Sequence, residues 1–479
     1  MADALVGGVG GEPDWRLVAA HYEQAERFDE AASAYQQASA TARRRGALAE
    51  ARAYLTQALS GLEHCTPGPD RDRREMASRS ERGFLATAAE GYQSRAAAAD
   101  FERCLQLGGT DLHDDELFAT LTALYGYYLA RADLQRAAQV LEVLRASLEQ
   151  GRQWFRPVSE GRLGVVAWLR GQFAAADSHL KAATAGAAAA DQQQIDAVWL
   201  QPTEPIVSAH LYLALTRGVR GDLTGAEAEL AQAARRAEQL SFPEGPFSLA
   251  YTRFGEIWMR TEAGQLDRAA VLAADLIEQA ERYGFDLWRL WGATQQATVG
   301  ALAALRADKL DPTALAAHIA TMTPLLDTSH TLELNIFIPS YHAVLGQLLI
   351  GAGQPERARC SLDTTLQLAQ DTGMCFYDAE LLRLRAYTHT DPDARRADVG
   401  AALALARRQG ATLFELRAAL DDFELRGEPA RETLVDVIGR MPADCCVGRA
   451  ARSCLRTQGS ATGAARRSRQ PRRRRSTSR

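Results

Sequence analysis

The chain has 479 residues, of which 47% are apolar and 7% aromatic, and a formal net charge of −5. Ala and Leu carry most of the apolar content and lose little side-chain freedom in helices, while the β-branched and aromatic runs that announce strands are nearly absent; the expected fold class is all-α. The charge is unevenly spread: residues 446–479 hold 11 Arg and no acid, which leaves −16 on residues 1–445, so the body has no attraction for phosphate backbones.

Residues 1–13 read as a disordered lead, because the glycine run at Gly7, Gly8, Gly10 and Gly11 has no strand before it and no strand–helix unit after it. The lead also lacks the basic and apolar regions of a secretory signal. No apolar stretch reaches the roughly 18–20 residues that a membrane span needs. Seven scattered cysteines without framework spacing fit a reducing compartment. A cytoplasmic location is expected, with no membrane association.

Past the lead, Trp15, Val18, Ala19 and Tyr22 fall at helical spacing. After a turn at Arg27–Asp29, Ala31, Tyr35 and Ala38 form a small–large–small stripe on a second helix. Small residues let two antiparallel helices approach, and large ones fill the holes between them. The same grammar recurs at Leu124, Tyr125 and Tyr128 with Ala137, Leu141 and Leu144, then at Leu163 and Gly164 with Ala176, Leu180 and Ala183. It continues through Ala226, Leu230 and Ala233, Ala269, Ala273 and Leu276, Trp288, Trp291 and Gly292, and Leu345, Gly346, Ala358 and Leu362. Gly171, Gly221, Gly264 and Gly353 stand where the turns belong. The pattern predicts a tetratricopeptide-like α-solenoid of antiparallel helix pairs, with units longer than the usual ~34 residues. Two sub-arrays are expected, at 14–190 and 207–445. A linker at 191–206 carries Gln201-Pro202-Thr203-Glu204-Pro205, and an Arg-rich disordered tail occupies 446–479.

Two stretches resemble the C-terminal tetratricopeptide region of bacterial, actinobacterial-type, multidomain signalling regulators. These carry an AAA-type ATPase with either a class III adenylate/guanylate cyclase domain or a LuxR-type DNA-binding domain. One stretch is residues 20–63. The more specific is 378–424, with Ala404-Leu405-Ala406-Arg407-Arg408-Gln409-Gly410-Ala411 and Phe414-Glu415-Leu416-Arg417-Ala418-Ala419. The resemblance implies a sensing or interaction platform that controls catalytic modules absent from this chain, and it supplies no catalytic residues.

Enzymatic chemistry finds no support. Lys181 and Lys309, the two lysines, neither follow a Gly-rich loop nor precede Ser or Thr, so a nucleotide-hydrolysing P-loop is excluded. The nine histidines form no HExxH and pair with no CxxC; no metal and no cofactor are expected. His64-Cys65 and Cys445-Cys446 read as incidental neighbours, and the acidic runs at 111–116 and Asp421-Asp422 as helix N-terminal or solvated charges.

Carrying the register along the first helix of each pair puts Trp168, Tyr251, Phe254 and Trp258 on a concave face, continued by Arg289, Gln296 and Gln347. Rigid aromatics beside a guanidinium are good anchors for a peptide or apolar ligand. The same aromatics would equally pack between repeats, and both readings stand. In the tail, Arg466, Arg467, Arg469, Arg472, Arg473, Arg474 and Arg475 allow sequence-blind phosphate contacts. They equally fit a solvated tail or an out-of-frame reading of GC-rich DNA, so nucleic acid is not the expected partner. The expected function is a non-catalytic scaffold that binds a partner protein, peptide or effector in a signalling pathway. The alternatives are the severed regulatory half of a cyclase or LuxR-type regulator, acting with an ATPase or cyclase module, and nonspecific nucleic-acid binding by the tail.

Overall fold

In the computed structural model the described residues are 13–108, 115–187 and 192–442. Most of the expected lead, the acidic residues Asp111, Asp114 and their neighbours, Cys445-Cys446 and the whole arginine tail, Arg466 to Arg475 included, lie outside them.

Among the described residues the fold is all-α, 22 α-helices without a strand, arranged as a tetratricopeptide-like solenoid of antiparallel pairs. The chain opens with α1 (Trp15–Gln24), α2 (Phe28–Arg44) and α3 (Leu48–Glu63). Inner and outer helices then alternate, apart from one short extra helix, α10 (Gln192–Val198). The inner layer includes α4 (Pro69–Glu90), α6 (Asp115–Ala130), α8 (Arg156–Leu169), α11 (Pro205–Val219), α13 (Glu244–Glu262), α15 (Asp286–Leu305) and α17 (Ile338–Gly351). It ends with α19 (Asp378–Ala386) and α21 (Thr412–Arg426).

The two layers differ for a reason visible in their residues. α11 is apolar nearly all round and buries almost every side chain, from Pro205 to Val219, as a helix enclosed on all sides must. Its outer partner α12 (Leu223–Ala237) buries only Ala226, Leu230, Ala233 and Ala237, the stripe of an amphipathic helix. Close approach within a pair depends on small residues: a Cβ added at Gly164 of α8 would stand 2.4 Å from Leu180 Cγ. The turns at Gly171, Gly221, Gly264 and Gly353 have φ of 69°, 91°, 77° and 72°, the left-handed helix ending that glycine adopts without strain.

Successive turns of the superhelix stack edge on edge. The Ala130 carbonyl accepts from the Asn335 and Ile336 N–H groups at 3.1 and 3.3 Å. Asn335 Nδ2 donates to the Arg131 carbonyl at 3.0 Å across 204 residues of sequence. One pair further on, the Leu169 carbonyl accepts from the Phe376 N–H at 3.1 Å. This stacking fills the axis of the coil, so one apolar cluster runs from Ala42 to Phe414.

Two expectations differ from this arrangement. The stretch read as a linker is packed from Val198 onward: Gln201, Thr203 and Glu204 are all buried, and Trp199 Nε1 donates to the Thr203 carbonyl at 2.8 Å. Its Pro-rich, polar composition serves a tight buried turn rather than a solvated tether. Asp421 and Asp422 are likewise buried instead of solvated, paired with Arg383 at 2.9 Å and with Arg426.

Candidate functional site

The edge-to-edge stacking leaves a partly open cavity of about 60 Å³ between the two superhelical turns. Its wall is assembled from distant segments: Tyr92, Gly126 and Ala130 from the first pairs, Arg162, Gln201 and Thr203 from the middle, Tyr251, Phe254, Trp288 and Trp291 from α13 and α15, and Ile336 and Phe337 from the following turn.

Arg162 is the one charged side chain on that wall. It sits mid-way along α8, on the stripe of Val158 and Val165, and is 8% exposed. The rings of Tyr125 and Trp199 each lie 4.5 Å from its guanidinium carbon. Its Nη2 donates to Gln201 Oε1 at 2.8 Å, and Gln201 Nε2 donates in turn to the Thr122 carbonyl. The Tyr125 hydroxyl donates to the Arg162 carbonyl at 3.2 Å. Among the described residues no carboxylate lies within ion-pair distance of this guanidinium. Gln201 and the ring of Tyr92 come so close to Gly126 that a Cβ there would meet each at 3.0 Å.

The rest of the wall is neutral. Tyr92 donates its hydroxyl to Thr203 Oγ1 at 2.6 Å, and Tyr251 donates to the Tyr212 hydroxyl at 3.2 Å. Burial pushes the Tyr92 hydroxyl up to about 12 and raises that of Tyr251 further. Trp288 Nε1 is a buried donor without an acceptor among the described residues.

Searches with the sequence find no matching family model and no matching curated protein. Solved structures with a similar trace include a Rap protein complexed with competence and sporulation factor, at 10% identity and a TM-score of 0.49, covering 85% of this chain and 99% of that one. An IFIT1 monomeric mutant with Gppp-AAAA gives 12% and 0.41, covering 88% and 89%. Yeast Tom70 gives 12% and 0.30, covering 95% and 98%. Identities this low say nothing of what this chain binds.

Of the seven residues read onto a concave groove, the fold brings Tyr251 and Phe254 to the cavity. Trp168 is fully buried and Trp258 nearly so, their ring centroids 5.7 Å apart in the aromatic core. Arg289 is exposed, pairs with Asp286 at 2.8 Å and lines a separate cleft with Arg95 and Leu332. Gln296 is exposed and Gln347 half-buried, and neither lines the cavity. Stacking of the turns covers Trp168 and Trp258 and leaves Tyr251 and Phe254 on the wall of a partly open cavity. The residues that sequence reasoning missed are Arg162, Tyr92, Gln201 and Phe337. A charge at Arg162 within the apolar register of α8 was the available signal.

A second polar assembly fastens the C-terminal pairs to the middle of the coil. Arg417 Nη1 donates to Glu262 and Glu380, each at 2.8 Å, and Tyr377 donates to Glu262 at 2.7 Å. Burial pushes the Glu380 carboxyl up, but Arg383 and Arg417 outweigh it and hold it below its ordinary value.

Proposed function

We propose that this chain is a non-catalytic regulatory scaffold that takes a small effector into the cavity between its superhelical turns and passes its occupancy to a partner protein. One observation carries the reading. The wall joins Tyr92, Arg162 and Tyr251 to Ile336 and Phe337 of the next turn, so an occupant touches both sides of the seam that sets the pitch of the coil. A ligand that binds one arrangement of a two-state element better than another shifts its population. In this reading the Ala130–Ile336 seam is the element whose population an effector shifts.

The finer reading is a regulatory region for an ATPase, cyclase or LuxR-type module in a cytoplasmic signalling pathway. The segment that resembles those regulators supports it, because its residues build the closure of the coil. Arg417 bonds Glu262 and Glu380, and Glu415 is buried and bonds both Arg407 and Arg440 at 2.7 Å.

The test is a thermal-shift screen of a metabolite collection on the full chain beside Gly126→Leu, whose side chain fills the cavity. Effectors should raise the Tm of the wild type and slow hydrogen exchange at both 126–130 and 334–337, and do neither in the variant. Ligands that stabilise both proteins alike would remove the cavity from the function.

A further inference from the structure

Resting on the cavity reading above, we propose that the occupant is a small organic monocarboxylate with a short aliphatic body, gripped at its charged end by Arg162.

The argument begins with charge. A guanidinium cannot shed its proton, and a buried charge is costly unless it is paired. Arg162 is 8% exposed and has one side-chain acceptor, Gln201 Oε1. Stacked rings on Tyr125 and Trp199 supply some compensation, but no anion among the described residues does. Glu204, the acid nearest in sequence to Gln201, is engaged elsewhere: it accepts from Arg236 at 2.8 Å and from the Val207 N–H at 2.6 Å. Tyr92 and Tyr251 stay neutral. Among the described residues the cavity wall therefore holds one positive charge with no carboxylate paired to it.

Geometry narrows the anion. The Tyr125 and Trp199 rings each pack 4.5 Å from the guanidinium carbon, and the N–H donors left to an incoming group lie along the edge of the planar fork. A planar carboxylate meets such an edge with two parallel hydrogen bonds. A dianionic phosphate would neutralise the single charge and bring a second, unpaired negative charge against an aromatic wall.

Volume narrows the body. About 60 Å³ of space is well under the ~150 Å³ that accepts a benzene ring, so the cavity suits a two- to four-carbon chain rather than an aromatic acid. The apolar rings of Phe254, Trp288 and Phe337 would receive that chain.

The probes are propionate and butyrate, their amides propionamide and butyramide, benzoate, and inorganic phosphate. Binding to the full chain is read by saturation-transfer NMR and isothermal titration. The carboxylates should bind roughly tenfold or more tighter than their amides, the value of a charged over a neutral hydrogen bond. Benzoate and phosphate should bind more weakly than butyrate. Arg162→Met should abolish the preference for carboxylate over amide, and its circular dichroism reports whether it folds; the amide comparison on wild type stands without it. Equal binding of butyrate and butyramide, both lost in Gly126→Leu, overturns the carboxylate and leaves the cavity reading intact. Tighter binding of benzoate or phosphate overturns the assigned class. No binding of any probe at millimolar concentration overturns the proposal, and an empty metabolite screen beside it takes the cavity reading down as well.

Discussion

The indole of Trp168 stacks on the ring of Phe376, with centroids 4.6 Å apart and planes at 28°, while the carbonyl of the adjoining Leu169 accepts from the Phe376 N–H at 3.1 Å. Trp168 closes an inner helix of one superhelical turn, and Phe376 lies in the connection entering an inner helix of the next. Phe337, from the preceding connection, reaches the same indole at 5.4 Å. The seam between turns is therefore an aromatic core, and the coil holds its pitch by packing as well as by backbone hydrogen bonds.

The seam can be weighed with a double-mutant cycle. Trp168→Ala should cost about 3–5 kcal/mol, as truncation of a fully buried large aromatic does, and Phe376→Ala a similar amount. Because the rings touch, the two losses should fall short of additive by about 1 kcal/mol. Urea unfolding of wild type, both single variants and the double variant measures this coupling. Strict additivity would mean that the stacked rings do not act as a unit.

The Arg417 assembly predicts an acid dependence. Arg417→Met leaves Glu262 and Glu380 facing each other without their shared cation, and breaking a buried pair in this way costs about 3–5 kcal/mol. The folded-state pKa of Glu380 is lowered, so its contribution is fully present above the unfolded value near 4.3 and is lost as pH falls through the lower folded value. In Arg417→Met part of that lowering disappears, so stability should depend less on pH below about 4.5. Denaturation series at neutral and acid pH compare the two proteins. A variant with the wild-type pH profile would deny Arg417 any hold on Glu380.

The helix pairs were legible because each carries its own small–large stripe: Ala176, Leu180 and Ala183, all fully buried, needed only local spacing to be recognised. Gly171 and its counterparts marked the turns by the same local logic. The cavity was not legible, since Tyr92, Arg162, Tyr251 and Phe337 meet through the pitch of the superhelix, a sum of small rotations that no single repeat encodes. Trp168 and Trp258, read onto a groove, are covered by neighbouring aromatics for that reason, while Tyr251 and Phe254 line the cavity. Helical register tells which face is inner, but not whether the next turn of the coil covers it. Gln201 and Thr203 misled in the opposite sense, because Pro and polar residues look alike in a solvated linker and in a buried turn with satisfied hydrogen bonds.

Trp258 illustrates the consequence for mutagenesis. Its side chain is 4% exposed and packs against Trp168, Phe337 and Tyr377, so Trp258→Ala should lower stability by about 3–5 kcal/mol. Once the variant is held folded at low temperature, partner or effector affinity should change little. Chemical denaturation and a binding isotherm on the same preparation separate the two effects. An affinity loss with unchanged stability would return Trp258 to a binding surface.

His342 gives the second pH prediction, with its sign set by burial. Its Nδ1 faces Ser361 Oγ at 3.0 Å, and its Nε2 lies 3.0 Å from His330 Nε2. Burial, and then the neighbouring His330, lower its pKa from 6.5 to about 4. A depressed group contributes stability above its unfolded pKa and loses it as pH falls through the folded one, so this contribution drains away between pH 6.5 and 4. A shift of that size is worth on the order of 3 kcal/mol. Asp378 works the other way: burial raises its pKa from 3.8 to about 6, so its contribution is present at low pH and lost as pH rises through that window. His342→Asn keeps an acceptor for the Ser361 hydroxyl and removes the titration. The variant should be the less acid-labile protein, with the difference from wild type growing between pH 6.5 and 4 while the Asp378 contribution cancels in the comparison. Equal slopes of stability against pH for the two proteins would show that His342 is not held neutral by the fold.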